Sequence, residues 1–357
     1  MIFRLCRIEQ IMRGLILAGG KGTRLRPLTV YTPKPAVPLV NRPFLLYQLE
    51  NLKSAGIDDI TLSLGYQPQK IEQLVGDGSD CGVRLTYLTE PHPMGTGGAY
   101  RYAAGSSGET AIVLNGDILT DFDIGGLIEF HRCTGSRATI ALARVDDPTG
   151  YGMVETDADG QITCFMEKPD ADAIAKCGAG QINAGIYLLE PEILRLIPLG
   201  ENRSFEYHIF PEILKKGLPF YGFGIGKSYW RDIGNPASYL QANMDLLDGQ
   251  VKAADLSRPA PAEVSQTASI DAVSVTAVDC VVKPHSKIIR SVIGTGVHIE
   301  EKVTIRDSVI WPHARISAGA NIEGAVIGRG CYIGKNAVLR NGTVLGDKAS
   351  VPDYSVI

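Results

Sequence analysis

The stretch "RGLILAGGKGTRLRPLTVYTPKP", Arg13 to Pro35, joins an apolar run to a loop of glycine and positive charge. Arg13 to Ala18 reads as a short buried strand. From Leu17 onward, nineteen residues hold three glycines, two arginines and two lysines. Gly19, Gly20 and Gly22 let backbone N–H groups come close to phosphate oxygens. Arg24 offers a fork that can hold two such oxygens. Pro33 and Pro35 stiffen the chain on either side of Lys34, so one ammonium is held in place. Two better-known phosphate loops are excluded. Gly14 and Gly19 have Walker A spacing, but Gly20 stands where the lysine is required. The run from Gly20 to Leu25 lacks the third glycine of a dinucleotide fingerprint.

Around this loop, strand and helix patterns alternate. "PFLLYQLENLKSAG" repeats Leu45, Leu49, Leu52 and Ala55 at helical spacing, with Pro43 near its start and Gly56 just past its end. "DITLSL", "VRLTYLT", "AIVLN" and "RATIALARV" read as strands. "PQKIEQLV" and "IGGLIEFHRC" read as helices between them. "GQITCFM", "INAGIYLL" and helices over about 204–216 and 236–248 follow. This order predicts an α/β domain over 13–248, a doubly wound, mostly parallel, Rossmann-like sheet. Residues 249–269, rich in Ala, Pro and Ser, read as a linker. Residues 1–12 are set apart as an N-terminal extension with no secretory apolar region.

A repeat fills 270–357. Bulky aliphatics recur at Ile288, Ile293, Ile299, Ile305, Ile310, Ile316, Ile322, Ile327, Ile333, Leu339 and Leu345, in steps of five or six. Helices need steps of three and four, and a flat strand needs steps of two. Steps near six, three to a turn, describe a triangular coil with one aliphatic pointing inward from each face. This predicts a left-handed hexapeptide β-helix.

The 357 residues are 45% hydrophobic and 21% charged, with a net charge of −4. That is a globular profile, and it argues against a nucleic-acid surface. No apolar run is long enough to span a membrane. Seven scattered cysteines without a Cys-x-x-Cys pair point to a reducing, cytoplasmic setting.

The glycine loop resembles the signature of the sugar-1-phosphate nucleotidyltransferases. The resemblance continues through "VLNGD", "FMEKP", "INAGIYLLEPEIL", "SFEYHIFPEIL" and "YWRDIGNPASYL", in that family's order. Within the family the chain is most similar to the mannose-1-phosphate guanylyltransferases that carry a C-terminal β-helix. The resemblance implies attack by a sugar phosphate on the α-phosphorus of a nucleoside triphosphate, with release of pyrophosphate. It implies catalytic roles for Arg24 and Lys34. It places the nucleotide on Leu17, Ala18, Gly19, Gly20, Gly22, Thr23, Glu90 and Gly95, and the sugar phosphate on Gly152, Glu167, Lys168 and Asn183. Asp117 and Asp232 are the implied ligands of one Mg²⁺. The absence of a Ser-His-Asp or Cys-His set agrees with this chemistry, which needs positioning and charge neutralisation more than proton transfer.

"EPHPMGTGG", Glu90 to Gly98, stands where many relatives have "EPLGT". An ionised carboxylate only accepts hydrogen bonds. Guanine presents adjacent N1–H and N2–H donors, so Glu90 favours GTP over UTP or dTTP. His92 replaces the glutamate of those relatives. The alternatives are a glucose-1-phosphate uridylyl- or thymidylyltransferase and a non-catalytic subunit that senses nucleotide-sugar. The coil is expected to mediate self-association or to pack on the catalytic domain. His285, His298 and His313 read as surface histidines, not an acyltransferase site.

Overall fold

The computed structural model describes residues 12–105, 108–170, 172, 174, 181–252, 256 and 263–357. The proposed extension before Met12 and much of the linker lie outside these. The chain divides into two compact units. One comprises the chain up to Gly20, Leu49–Ile118 and Phe122–Trp230; the other comprises Lys21–Gln48, Leu119–Asp121 and Arg231–Ile357.

In chain order the elements are β1 (Met12–Ala18), β2 (Pro38–Leu39), β3 (Arg42–Pro43), α1 (Phe44–Ser54), β4 (Asp59–Leu64), α2 (Pro68–Val75), β5 (Arg84–Thr89) and α3 (Gly95–Ala104). There follow β6 (Thr110–Asn115), β7 (Ile118–Thr120), α4 (Ile124–Thr134), β8 (Ala138–Arg144), β9 (Gly152–Thr156), β10 (Ile162–Glu167), β11 (Gln181–Leu189), α5 (Phe210–Lys215), β12 (Phe220–Gly224) and α6 (Pro236–Leu247).

The first unit is built on a nine-stranded sheet ordered β10-β9-β11-β6-β1-β4-β5, with β8 beside β11 and β12 beside β8. β1 runs parallel to β4 and β6, and β4 to β5. β11 is antiparallel to β6, β8 and β9. The doubly wound half is therefore parallel as expected, and the sheet becomes mixed beyond β6. Leu15, Val113, Ile140, Leu142 and Tyr187 are buried beneath a cluster of Phe205, Phe210 and Phe220. Burial on both faces explains why these strands read as continuous apolar runs. The shared direction of β1, β4, β5 and β6 puts their carboxyl ends on one edge, where open α/β sheets bind ligands.

The second unit contains the β-helix. Its short strands form three parallel sheets. Ile288, Ile305, Ile322 and Leu339 stack in register, as do Ile293, Ile310, Ile327 and Leu345. The first coil strand, Glu263–Val264, falls inside the compositional linker. A serine row reinforces one corner. Ser291 N–H donates to Ser274 Oγ at 3.0 Å, and Ser308 N–H to Ser291 Oγ at 3.2 Å.

The segment after the glycines belongs to this unit. Asn41 Nδ2 donates to the Ile293 carbonyl at 2.9 Å, and Val40 N–H to Asn243 Oδ1 at 2.9 Å. The coil thus packs on 21–48 and on α6, within one compact body. Among the described residues, no helix is long and apolar enough to cross a membrane. His285, His298 and His313 are all exposed.

Candidate active site

Leu17 and Ala18 end β1, and Gly19 and Gly20 follow at the carboxyl edge. A Cβ on Gly19 would collide with Glu90 Oε1, so the carboxylate lies directly against this glycine. Glu90 follows the last residue of β5. Its N–H donates to the Leu64 carbonyl at 2.8 Å, and Ser63 Oγ donates to Oε1 at 3.0 Å. A Cβ on Gly65 would run into the Gly19 carbonyl, so that glycine permits the close approach of the two loops.

Gly116 N–H donates to the Leu17 carbonyl at 2.8 Å. This sets Asp117 one residue beyond a direct link to β1. Gly95 opens α3 at φ 69°, against the Arg203 carbonyl.

Gly152 and Glu167 pair across β9 and β10. A Cβ on Gly152 would stand 2.9 Å from Glu167 Oε2. Burial pushes the Glu167 carboxyl above its ordinary pKa; the negative charge of Glu206 adds to this and Lys168 opposes it. Lys168 is exposed at φ 49°, and its N–H donates to the Tyr151 carbonyl at 3.0 Å. Asn183 sits at an irregularity in β11, where Gly185 N–H donates to its Oδ1 at 2.9 Å. Asn183 Nδ2 and Asn115 Nδ2 donate to the Tyr187 hydroxyl at 2.9 and 3.3 Å. Tyr187 is fully buried, and burial holds its pKa far above the ordinary value, so it stays a neutral hub.

In the second unit, Gly22 has φ 60°, and Thr29 Oγ1 donates to its carbonyl at 2.6 Å. A Cβ on Gly22 would be 3.4 Å from Lys34 Cβ, so this glycine seats the lysine stem. Thr23 and Arg24 lie on a 3₁₀ turn, and Lys34 opens another after Pro33. Asp232 and Arg24 flank Gly234: a Cβ there would stand 2.9 Å from Asp232 Oδ2 and 3.3 Å from Arg24 Nη2. The structure thus gathers Leu17–Gly20, Glu90, Gly95, Asp117, Gly152, Glu167, Lys168 and Asn183 in one unit. Gly22, Thr23, Arg24, Lys34 and Asp232 belong to the other.

Sequence reading did not single out Tyr187, Ser63, Gly65, Gly234, Thr96 or Glu206. Tyr187 carries the one available signal, a hydroxyl on an otherwise aliphatic stretch of β11.

The nucleotidyl transferase family model matches residues 13–249, and the chain belongs to that family. The model for the EIF2B subunit epsilon left-handed β-helix domain matches 258–357. Among curated relatives, the mannose-1-phosphate guanylyltransferase of Mycobacterium tuberculosis is 37% identical over 87% of this chain and 82% of its own length. The mannose-1-phosphate guanylyltransferase 1 of Arabidopsis thaliana is 33% identical over 96% of this chain and 93% of its own. Among solved structures, HddC from Yersinia pseudotuberculosis is 32% identical with a TM-score of 0.56, covering 66% of this chain and all of that one.

Proposed function

We propose that this protein joins GTP and mannose 1-phosphate to give GDP-mannose and pyrophosphate. The observation that carries the base assignment is the Glu90 carboxylate, braced by Ser63 and laid against Gly19 at the ligand edge of the sheet. The names of the relatives support the same substrate pair.

The acceptor phosphate has a second pKa near ~6, so it is already a dianion at neutral pH. A bond forms from its oxygen to the α-phosphorus, and the bond from that phosphorus to the bridging oxygen of pyrophosphate breaks. Two anions must meet, so charge neutralisation carries most of the catalysis. Arg24 and Lys34 neutralise the triphosphate. Leu17, Ala18, Gly19, Gly20, Gly22, Thr23 and Gly95 complete the nucleotide cradle. Lys168 holds the sugar phosphate, Glu167 and Asn183 accept from or donate to its hydroxyls, and Gly152 leaves room for the ring.

Asp117 and Asp232 suit Mg²⁺, being hard oxygen donors. Among the described residues no three His, Cys, Asp or Glu side chains gather as a closed metal site. A metal completed by water and phosphate oxygens is the arrangement Mg²⁺ prefers. Bound there, it would neutralise developing phosphate charge.

Residues 13–248 make the catalytic domain, 249–269 the linker, whose Glu263–Val264 already pairs with the coil, and 270–357 the rest of the coil. The coil is also the element for homo-oligomer formation, with Tyr354, Val356 and Ile357 exposed at its last turn. The protein is cytoplasmic, with neither nucleic acid nor membrane as partner.

The test is Glu90→Gln. Glutamine restores a donor beside an acceptor, matching uracil and thymine. The expected result is a fall in kcat/KM for GTP of ~10-fold or more, with UTP or dTTP gaining relative to it. An unchanged nucleotide preference would remove Glu90 from the base pocket.

A further inference from the structure

The π-helical turn Phe205–Ile209 carries Glu206, half-buried, between α3 and β10. Phe205 lies 5.1 Å from the Tyr187 ring, and Phe210 lies 5.1 Å from Phe165 on β10. The turn is therefore packed on the same strands that carry Glu167 and Asn183. Single-turn π segments inside helices are frequent at functional sites.

The hydrogen-bond directions around Glu206 are determined by the neighbouring backbone. Ser204 Oγ accepts from Glu206 N–H at 3.0 Å and from Tyr207 N–H at 3.2 Å. Its own hydrogen goes to Glu206 Oε2. Thr96 Oγ1 accepts from Phe205 N–H at 2.9 Å, and its hydrogen also goes to Oε2, at 2.9 Å. Two hydroxyls are thus committed to one oxygen of the Glu206 carboxylate. Among the described residues, Oε1 accepts no hydrogen bond, and a carboxylate oxygen can take two.

We propose that Glu206 is a second hydroxyl-reading carboxylate of the sugar pocket, with Thr96 and Ser204 as the positioning residues that aim it. The inference rests on reading this site as one for a sugar 1-phosphate, and assigns that site a further specificity residue. Glu206 adds its charge to Glu167 from a turn packed on the strands that carry Glu167 and Asn183, and two carboxylates so placed suit a ligand with several O–H donors. A polyol ring supplies them. Thr96 follows Gly95 in the first turn of α3. That helix start is tied to the π-helical turn by Gly98 N–H to the Arg203 carbonyl and Arg203 N–H to the Met94 carbonyl, each at 2.9 Å. The aim of Glu206 is therefore set by the helix start whose Gly95 is assigned to the nucleotide.

The experiment compares pyrophosphate release by the full chain and by Glu206→Gln, Thr96→Val and Thr96→Ser, varying mannose 1-phosphate, glucose 1-phosphate and GTP. Glu206→Gln is expected to raise the KM for mannose 1-phosphate ~10-fold or more and to narrow the mannose-to-glucose ratio. The KM for GTP should move by less than about twofold, since uniform binding of the nucleotide is untouched. Thr96→Val should give a smaller rise of the same kind, and Thr96→Ser should restore wild-type values. A Glu206→Gln enzyme with unchanged sugar KM and epimer ratio would overturn the proposal. So would an equal rise in both KM values, which marks a merely structural role. If Glu206→Gln does not fold, Thr96→Val against Thr96→Ser decides alone. Silence of the wild type with every sugar 1-phosphate would instead overturn the underlying functional reading.

Discussion

Trp311 Nε1 donates to the Tyr239 hydroxyl at 2.9 Å, and that hydroxyl donates to the Pro38 carbonyl. Both rings are fully buried, the coil tryptophan against the helix tyrosine, and the chain ends at a backbone oxygen four residues after Lys34. One relay thus ties the β-helix, α6 and the lysine segment into a single unit. Tyr239→Phe leaves a buried indole N–H without its acceptor and takes the hydroxyl donor from the half-buried Pro38 carbonyl. The expected loss is about 1–3 kcal/mol, read from urea unfolding. The KM for the nucleotide should rise with it, since Lys34 loses its anchor. An unfolding midpoint equal to wild type would refute the relay's role.

The two glycines around Glu90 should behave differently. At Gly19 the added methyl meets the end of a flexible side chain, and Glu90 can swing away. At Gly65 it meets the Gly19 backbone carbonyl, which cannot. Gly19→Ala should keep most of its stability and lose nucleotide discrimination. Gly65→Ala should lose stability outright, by about 1–3 kcal/mol as for overpacking. Thermal melts beside a nucleotide panel separate the two. Equal melting losses would contradict the contrast.

Acid should weaken sugar binding. Burial first, and then Glu206, hold the Glu167 carboxyl above its ordinary range, with Lys168 opposing them. Between the unfolded value and this raised value, the native state binds the proton more than the unfolded chain does. This group's contribution to stability therefore falls as pH rises through that window. Function runs the other way, because only the ionised form presents both oxygens purely as acceptors. The KM for the sugar phosphate should rise as pH drops through the raised pKa. Glu206→Gln removes one cause, so the acid limb should move to lower pH. A limb that stays in place would show that Glu206 does not act on Glu167.

Asp117→Asn and Asp232→Asn each replace a hard anionic donor by a neutral amide. Loss of turnover of about 10²-fold or more is expected, together with a higher Mg²⁺ requirement in a metal titration. Full activity at the wild-type Mg²⁺ optimum in either variant would remove that aspartate from the metal.

The β-helix is the part of the fold most legible in sequence. Its aliphatic steps restate the geometry of burial, and the predicted row Ile288, Ile305, Ile322, Leu339 is one of the ladders. The parallel strands β1, β4 and β6 were legible for the same reason. Helix α3 was not, because Gly95, Gly97 and Gly98 are poor helix formers and blur any helical period. Those glycines are there for contact: a Cβ on Gly98 would be 2.5 Å from the Glu201 carbonyl. Short strands β9 and β12 were hidden too, "FYGFG" having glycines where a pattern would need side chains. At the site, charged residues in the glycine loop declare themselves through spacing. Thr96 and Glu206 do not, since their meeting is made by the packing of segments 110 residues apart.

The most direct measurement of nucleotidyl transfer is pyrophosphate release with Mg²⁺ by the full chain, with each of GTP, UTP, dTTP, CTP and ATP paired with mannose 1-phosphate or glucose 1-phosphate. The fastest release is expected with GTP and mannose 1-phosphate, with GDP-mannose as the second product. Release led by UTP or dTTP with glucose 1-phosphate would contradict the Glu90 assignment, and silence from folded protein across the whole grid would contradict nucleotidyl transfer itself.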